Sequence, residues 1–282
     1  MYRTLIDPAT LAGHLHDPDW AIVDCRFDIG DAGHGGRQYL EGHIPGARYA
    51  HLDKHLSGPK TGTNGRHPLP EPGVLRRDLG LFGIGPNTQV VAYDADNSTY
   101  AARLWWLLRW LGHDAAAVLD GGYARWCREG HPVQSGAETS EPKHLQGEPY
   151  EGWWLGVNEV AHGLHDQDRL LVDSRSNERY RGINETIDRT GGHIPGAANY
   201  FFMENLAPDK TFKTPEQLRE QWGPVLDGRA PGELVLYCGS GVTACNNLLA
   251  LAHAGLPGAR LYPGSWSEWS ADPARPTATD ER

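Results

Sequence analysis

The sequence predicts an α/β protein of two tandem domains, each a mainly parallel sheet with helices on both faces. Two observations predict it. Short apolar runs of strand length alternate with longer helix-like runs, and the second half of the chain repeats the first. WAIVDCRF (20–27) parallels RLLVDSR (169–175), and GHIPGA stands at both 42–47 and 192–197. VVAYDADNSTYAARLWW (90–106) parallels LVLYCGSGVTACNNLLA (234–250), and GGYARW (121–126) parallels GSWSEW (264–269). Asp24 thus corresponds to Asp173, His43 to His193 and Asp94 to Cys238. Chance matches of short motifs keep neither order nor spacing, so the halves arose by duplication.

In the first half, AIVD (21–24), QVVAYD (89–94) and AAAVLD (115–120) read as buried strands. Ser98 to Gly112 reads as a helix that stops at its glycine. It is apolar on almost every face, so burial on more than one side is expected, with Trp105 and Trp106 packing rather than holding a cofactor. The second half repeats the pattern with LLVD (170–173), ELVLY (233–237), a helix from about Val242 to Gly255, and ARLY (259–262). Such strand–helix–strand alternation calls for parallel strands. Residues 131–152 are rich in Pro, Gly, Glu and Ser without an apolar period, which reads as a linker between domains at 1–130 and 153–282. Trp153 and Trp154 close it and are expected to anchor it.

The chain has 282 residues, 39% of them hydrophobic and 22% charged, which suits globular domains rather than disorder. Its formal net charge of −10 argues against nucleic acid or anionic membrane as a general partner. An acidic chain acting on an anion must gather positive charge locally. MYRTLIDPAT lacks the apolar core of a secretory leader, and no run reaches the ~18–20 apolar residues of a membrane span. The four cysteines, Cys25, Cys127, Cys238 and Cys245, contain no CxxC pair, so a cytoplasmic chain with reduced thiols is expected. The 14 histidines show no metal-ligand spacing, so neither metal nor cofactor is expected.

LVLYCGSGVTACNNLLALAHAG carries the chemistry. A buried strand ends at Tyr237, Cys238 follows, and a helix starts a few residues on. Open α/β sheets place ligands at this carboxyl edge. The first amides of a helix lack intrahelical acceptors and carry partial positive charge. Gly239 and Gly241 let the loop through Ser240, Val242 and Thr243 curl its amides into an anion nest. Such a setting favours a thiolate, the nucleophilic form of cysteine. Phosphoester cleavage and sulfur transfer both use a cysteine so placed. The first needs an arginine six positions after the cysteine to grip a phosphate dianion, and this chain has Ala244 there. Sulfur transfer needs the nest but not that arginine.

These residues resemble the rhodanese and 3-mercaptopyruvate sulfurtransferase family over nearly the whole chain. VDCR and VDSR, the two GHIPGA segments, CGSGVTA and the GSWSEW tail carry the resemblance. It implies two rhodanese-like domains, of which only the second is catalytic, in keeping with Asp94 opposite Cys238. The implied activity moves a sulfane sulfur from a donor to a thiol or cyanide acceptor through a persulfide on Cys238. A thioredoxin-like reductant is a further implied partner. Thiosulfate-preferring members follow the cysteine with basic residues (C-R-K-G-V-T). Gly239 and Ser240 resemble the mercaptopyruvate members instead, so 3-mercaptopyruvate is the expected donor. Thiosulfate is the alternative, and a non-catalytic sulfur-carrier or interaction module is the reading from another class.

The same resemblance supplies further site residues. Arg179, in NERYRG, matches a substrate-carboxylate arginine, a role that a planar guanidinium suits. Arg189 is the candidate for a second such arginine, although its spacing to GHIPGA departs from the family pattern. Ser240, His67 (in RHPLP) and Asp53 match a proton relay, with a longer gap between Asp53 and His67 than in animal relatives. Asp24 with Arg26, and Asp173 with Arg175, read as structural ion pairs. His43 and His193 are expected to fix turns by hydrogen bonds.

Overall fold

The computed structural model describes residues 1–164, 166 and 168–279. Its contacts divide into two units. The first holds Met1–Gly58, Pro70–Tyr150 and Pro208–Phe212, and the second holds Pro59–Leu69, Glu151–Ala207 and Lys213–Arg282.

The first unit is built on strands β1 (Leu5–Ile6), β2 (Trp20–Asp24), β3 (Arg48–Tyr49), β4 (Gln89–Tyr93) and β5 (Ala116–Leu119). They lie in the order β1-β5-β4-β2-β3, and every pairing is parallel. β4 and β5 are buried at every position, which explains their uninterrupted apolar sequences: helices cover both faces of a parallel sheet. Those helices are α1 (Pro8–Ala12), α2 (His34–Glu41), α3 (Leu52–His55), α4 (Pro72–Leu81), α5 (Thr99–Trp110) and α6 (Gly122–Arg128). Only Tyr100 and Arg109 of α5 escape full burial, as its apolar sequence requires. The Trp105 indole donates to the Arg3 carbonyl at 2.8 Å, a packing role.

The second unit repeats the plan with β6 (Leu170–Asp173), β7 (Ala198–Asn199), β8 (Leu234–Tyr237) and β9 (Arg260–Leu261), all parallel, in the order β7-β6-β8-β9. Its helices are α7 (Val157–His162), α8 (Asn177–Tyr180), α9 (Pro215–Leu226), α10 (Ala244–His253) and α11 (Ser265–Trp269). The repeat extends to single bonds. Asp24 binds Arg26 and Asp173 binds Arg175, each pair buried, and each guanidinium also donates at 2.6 Å to a carbonyl, that of Gly42 or Gly192. His43 and His193 each stack on a tyrosine, Tyr39 or Tyr180, and bond its carbonyl at 2.7 and 2.8 Å.

The segment expected as a linker runs along the first unit as far as Tyr150. Gln134 pairs with His43, the Lys143 amide donates to Gly80, Leu145 is buried, and the Tyr150 amide donates to Trp110. Residues 153–155 then pair with Leu261 through their backbone. The backbone makes that attachment, while the Trp154 ring stays exposed. Among the described residues no helix is long and apolar enough to cross a membrane.

Candidate functional site

Cys238 follows directly on β8, whose four residues are all buried. Its loop is tied back to α11 along one side. The Cys238 amide donates to Ser265 Oγ at 3.1 Å, and the carbonyls of Cys238 and Gly239 accept from the amides of Trp266 and Ser267, both at 2.9 Å. This is the structural use of the GSWSEW segment. Gly241 has φ +73°, and a β-carbon there would sit 2.4 Å from the Pro263 carbonyl oxygen. Only glycine satisfies both the dihedral and the contact. Helix α10 begins at Ala244, two residues later than the sequence suggests, with Thr243 as its cap residue. Val242 is buried, and the Cys245 thiol donates to the Gly241 carbonyl at 3.4 Å, a structural role. Cys238 itself is 2% exposed.

His67 comes from the segment 59–69, which belongs to the second unit. Its Nδ1 lies 2.8 Å from Ser240 Oγ, and both residues are buried. Two contacts fix the segment. The Arg66 amide donates to Ser267 Oγ at 3.0 Å, and Gly65, at φ +83°, passes so close to Gly264 that a β-carbon would be 2.8 Å from its carbonyl oxygen. Asp53, the third residue expected in the relay, lies in the first turn of α3 in the first unit, where its amide donates to His51 Nδ1 at 3.1 Å.

Arg179 stands near the end of α8. Its Nε and Nη2 donate to Glu185 at 3.0 and 3.1 Å, and Nη2 also reaches Asp188 at 3.0 Å. A β-carbon on Gly239 would lie 3.6 Å from both terminal nitrogens of Arg179, so the guanidinium borders the cysteine loop. Arg189 is exposed. The second guanidinium at the loop is that of Arg66, whose Nη2 would meet the same β-carbon at 2.7 Å. Arg66 opens the RHPLP segment, and its place next to His67 is the signal that the sequence carries for it. Burial raises the Asp188 carboxyl against the pull of Arg66 and Arg179. Glu185 is also partly buried, yet Arg179 and the amides of Ile187 and Asp188 hold its carboxyl below the usual range.

A network of buried amides lies under α10. Asn247 Nδ2 donates to Ser174 Oγ at 2.9 Å and to the Tyr200 carbonyl at 3.1 Å. Asn205 Nδ2 bonds the side-chain oxygens of Asn246 and Asn247, and Trp222 donates to Asn205 at 3.1 Å. The asparagine pair in an otherwise apolar helix was its sequence trace.

The first unit shows what an anion does in such a loop. Asp94, at the position matching Cys238, accepts from the amides of Ser98, Tyr100 and Ala101 at 3.0, 2.8 and 3.2 Å. Its carboxylate fills the mouth of α5 where the second unit has a thiol. Burial nevertheless raises its pKa to about 6, against those three amides. Among the described residues no cluster of His, Cys, Asp or Glu could hold a metal ion.

Comparison with known proteins agrees with this fold. The family model for the Rhodanese-like domain matches residues 7–129 and 156–272. The chain is 45% identical over 279 residues to a protein of Pseudomonas aeruginosa named as a probable 3-mercaptopyruvate sulfurtransferase, covering 98% of each. It is 34% identical to the thiosulfate sulfurtransferase of Cricetulus griseus, over 95% of this chain and 92% of that protein. Among solved structures, 3-mercaptopyruvate sulfurtransferase from Leishmania major matches with a TM-score of 0.85 at 31% identity, over 95% of this chain and 74% of the other.

Proposed function

The chain belongs to the rhodanese family of sulfurtransferases, and from that premise we propose that it takes sulfur from 3-mercaptopyruvate onto Cys238. The observation that carries this reading is the Ser240–His67 contact of 2.8 Å, in the same loop as the cysteine. The Cys238 thiolate attacks the donor sulfur, forming an S–S bond while the donor's C–S bond breaks. Its electron pair leaves on carbon as the enolate of pyruvate. That enolate needs a proton and the donor's thiol proton must leave, so one transfer balances the step. Ser240 and His67 form a short path for it. The amides of Gly239 to Thr243 are suited to the persulfide anion, as the amides around Asp94 are to a carboxylate. Arg179 holds the donor carboxylate. Thiol, cyanide or a thioredoxin-like reductant then removes the outer sulfur, giving ping-pong kinetics. A cytoplasmic setting, where thiols stay reduced, suits this cycle.

Asp53 and Arg189 enter as variants to measure. A relay role for Asp53 requires Asp53→Asn to slow pyruvate release, and a donor role for Arg189 requires Arg189→Gln to raise KM. The defining test is mass spectrometry after donor treatment. The Cys238 peptide gains one sulfur, ~32 Da, and Cys238→Ser gains none and loses turnover. Full activity in that variant ends the assignment. Thiosulfate is the second reading, favoured by the 34% identity to the thiosulfate sulfurtransferase of Cricetulus griseus. Comparing kcat/KM for the two donors decides between them.

A further inference from the structure

Two cations and two carboxylates meet beside the cysteine loop. Arg66 and Arg179 both border Gly239, the residue after Cys238. Asp188 spans them, with Oδ1 on Arg66 Nη1 and Oδ2 on Arg179 Nη2, while Glu185 takes Nε and Nη2 of Arg179. The Asp188 and Glu185 side chains are only 5% and 4% exposed, so solvent screens these charges weakly. The formal charge of the quartet is nil. Glu185 is also built into its own loop, since it accepts from the amides of Ile187 and Asp188 and lies 3.5 Å from Arg175. Asp188, in contrast, gives one oxygen to each of the two arginines that border the loop.

We propose that Asp188 is a specificity-determining residue, which cancels positive charge beside Cys238 and so selects a monoanionic sulfur donor over a dianionic one. The proposal rests on the sulfurtransferase reading above. A donor with one carboxylate needs one guanidinium and tolerates a neutral surround. Thiosulfate brings two negative charges and meets Asp188 and Glu185 at close range. Gly239 belongs to the same arrangement: lacking a side chain, it leaves room for the Arg66 guanidinium, which Asp188 neutralises.

The test is kcat/KM of the full chain for 3-mercaptopyruvate and for thiosulfate, with cyanide as acceptor, at low and high salt. Asp188→Asn leaves the quartet with one net positive charge, and the thiosulfate-to-mercaptopyruvate ratio rises about tenfold. Arg66→Gln leaves it net negative, and the ratio falls by a similar factor. Asp188→Glu restores the charge and returns the ratio toward that of the unmodified chain. High salt compresses both changes. An unmoved ratio in Asp188→Asn, or ratios that move the same way in Asp188→Asn and Arg66→Gln, overturns the proposal. If Asp188→Asn does not fold, Asp188→Ser, which removes the same charge with a smaller side chain, is measured in its place and the same outcomes decide. An unmodified chain inert to both donors overturns the sulfurtransferase reading together with this one, whereas an active chain with an unmoved ratio overturns only the role of Asp188.

Discussion

Ser240 and His67 lie 173 residues apart in the chain and 2.8 Å apart in the fold, and both are buried. A hydroxyl and an imidazole held so closely conduct a proton only if the reaction has one to move. Loss of pyruvate from 3-mercaptopyruvate has such a proton, whereas loss of sulfite from thiosulfate does not. Ser240→Ala and His67→Gln should therefore lower kcat for 3-mercaptopyruvate by about a hundredfold, within the usual range for acid–base assistance, and spare thiosulfate turnover. Equal losses with both donors would reduce the pair to packing. The residues flanking Cys238 divide by role in the same way. Gly241 answers to a dihedral and a carbonyl, Cys245 to a hydrogen bond from the helix back to the loop carbonyl of Gly241, and Gly239 to the guanidinium groups beside it.

At the scale of elements, α10 does two jobs. Its amino end faces the cysteine loop, and its buried side carries Asn246 and Asn247 into a network with Ser174, Asn205, Tyr200 and Trp222. Two buried amides in a helix of leucine and alanine cost stability unless their partners are met, and here they tie α10 to Ser174, just after β6, and through Asn205 to Trp222 of α9. Asn247→Ala should destabilise the second unit by about 2 kcal/mol, because Asn205 loses an acceptor and Ser174 a donor in a dry environment. Denaturant melts check this, and a loss below about 0.5 kcal/mol would mean that the network is dispensable. Helix α11 is the opposite case, a short element valued for the backbone groups it offers to Cys238 and Gly239.

At the scale of the whole molecule, one fold has been used twice, with a carboxylate at the loop of one copy and a thiol at that of the other. In the first unit a carboxylate, Asp94, takes the loop amides that an anionic sulfur would take in the second. That choice has a pH signature. Burial raises Asp94 to about 6 from an ordinary value of 3.8, so the folded state holds this proton more tightly than the unfolded chain does. Its stabilising contribution is complete below the unfolded value and is lost as pH rises through about 6. Between pH 7 and pH 5 the unmodified chain should gain about 1 kcal/mol relative to Asp94→Asn. Paired melts at the two pH values measure it, and a constant gap would show that Asp94 does not titrate in this range.

The duplication, the parallel strands, the seat of Cys238 and the two buried Asp–Arg pairs were all legible in the sequence. Each depends on residues close together in the chain or on a pattern that recurs. VDCR and VDSR contain both partners of their ion pairs, and CGSGVTA contains its own glycine turn. The pairing of His67 with Ser240 was suggested by resemblance, but its geometry was not legible. Arg66 at Gly239 and Asp188 across both arginines were missed, as was the asparagine network. These contacts join segments far apart in sequence, and no periodicity records which distant loop will reach a given atom. Local chemistry and repetition thus specified the scaffold and the position of Cys238, whereas tertiary packing alone determined which charges surround it, because electrostatic neighbours are set by distance in space.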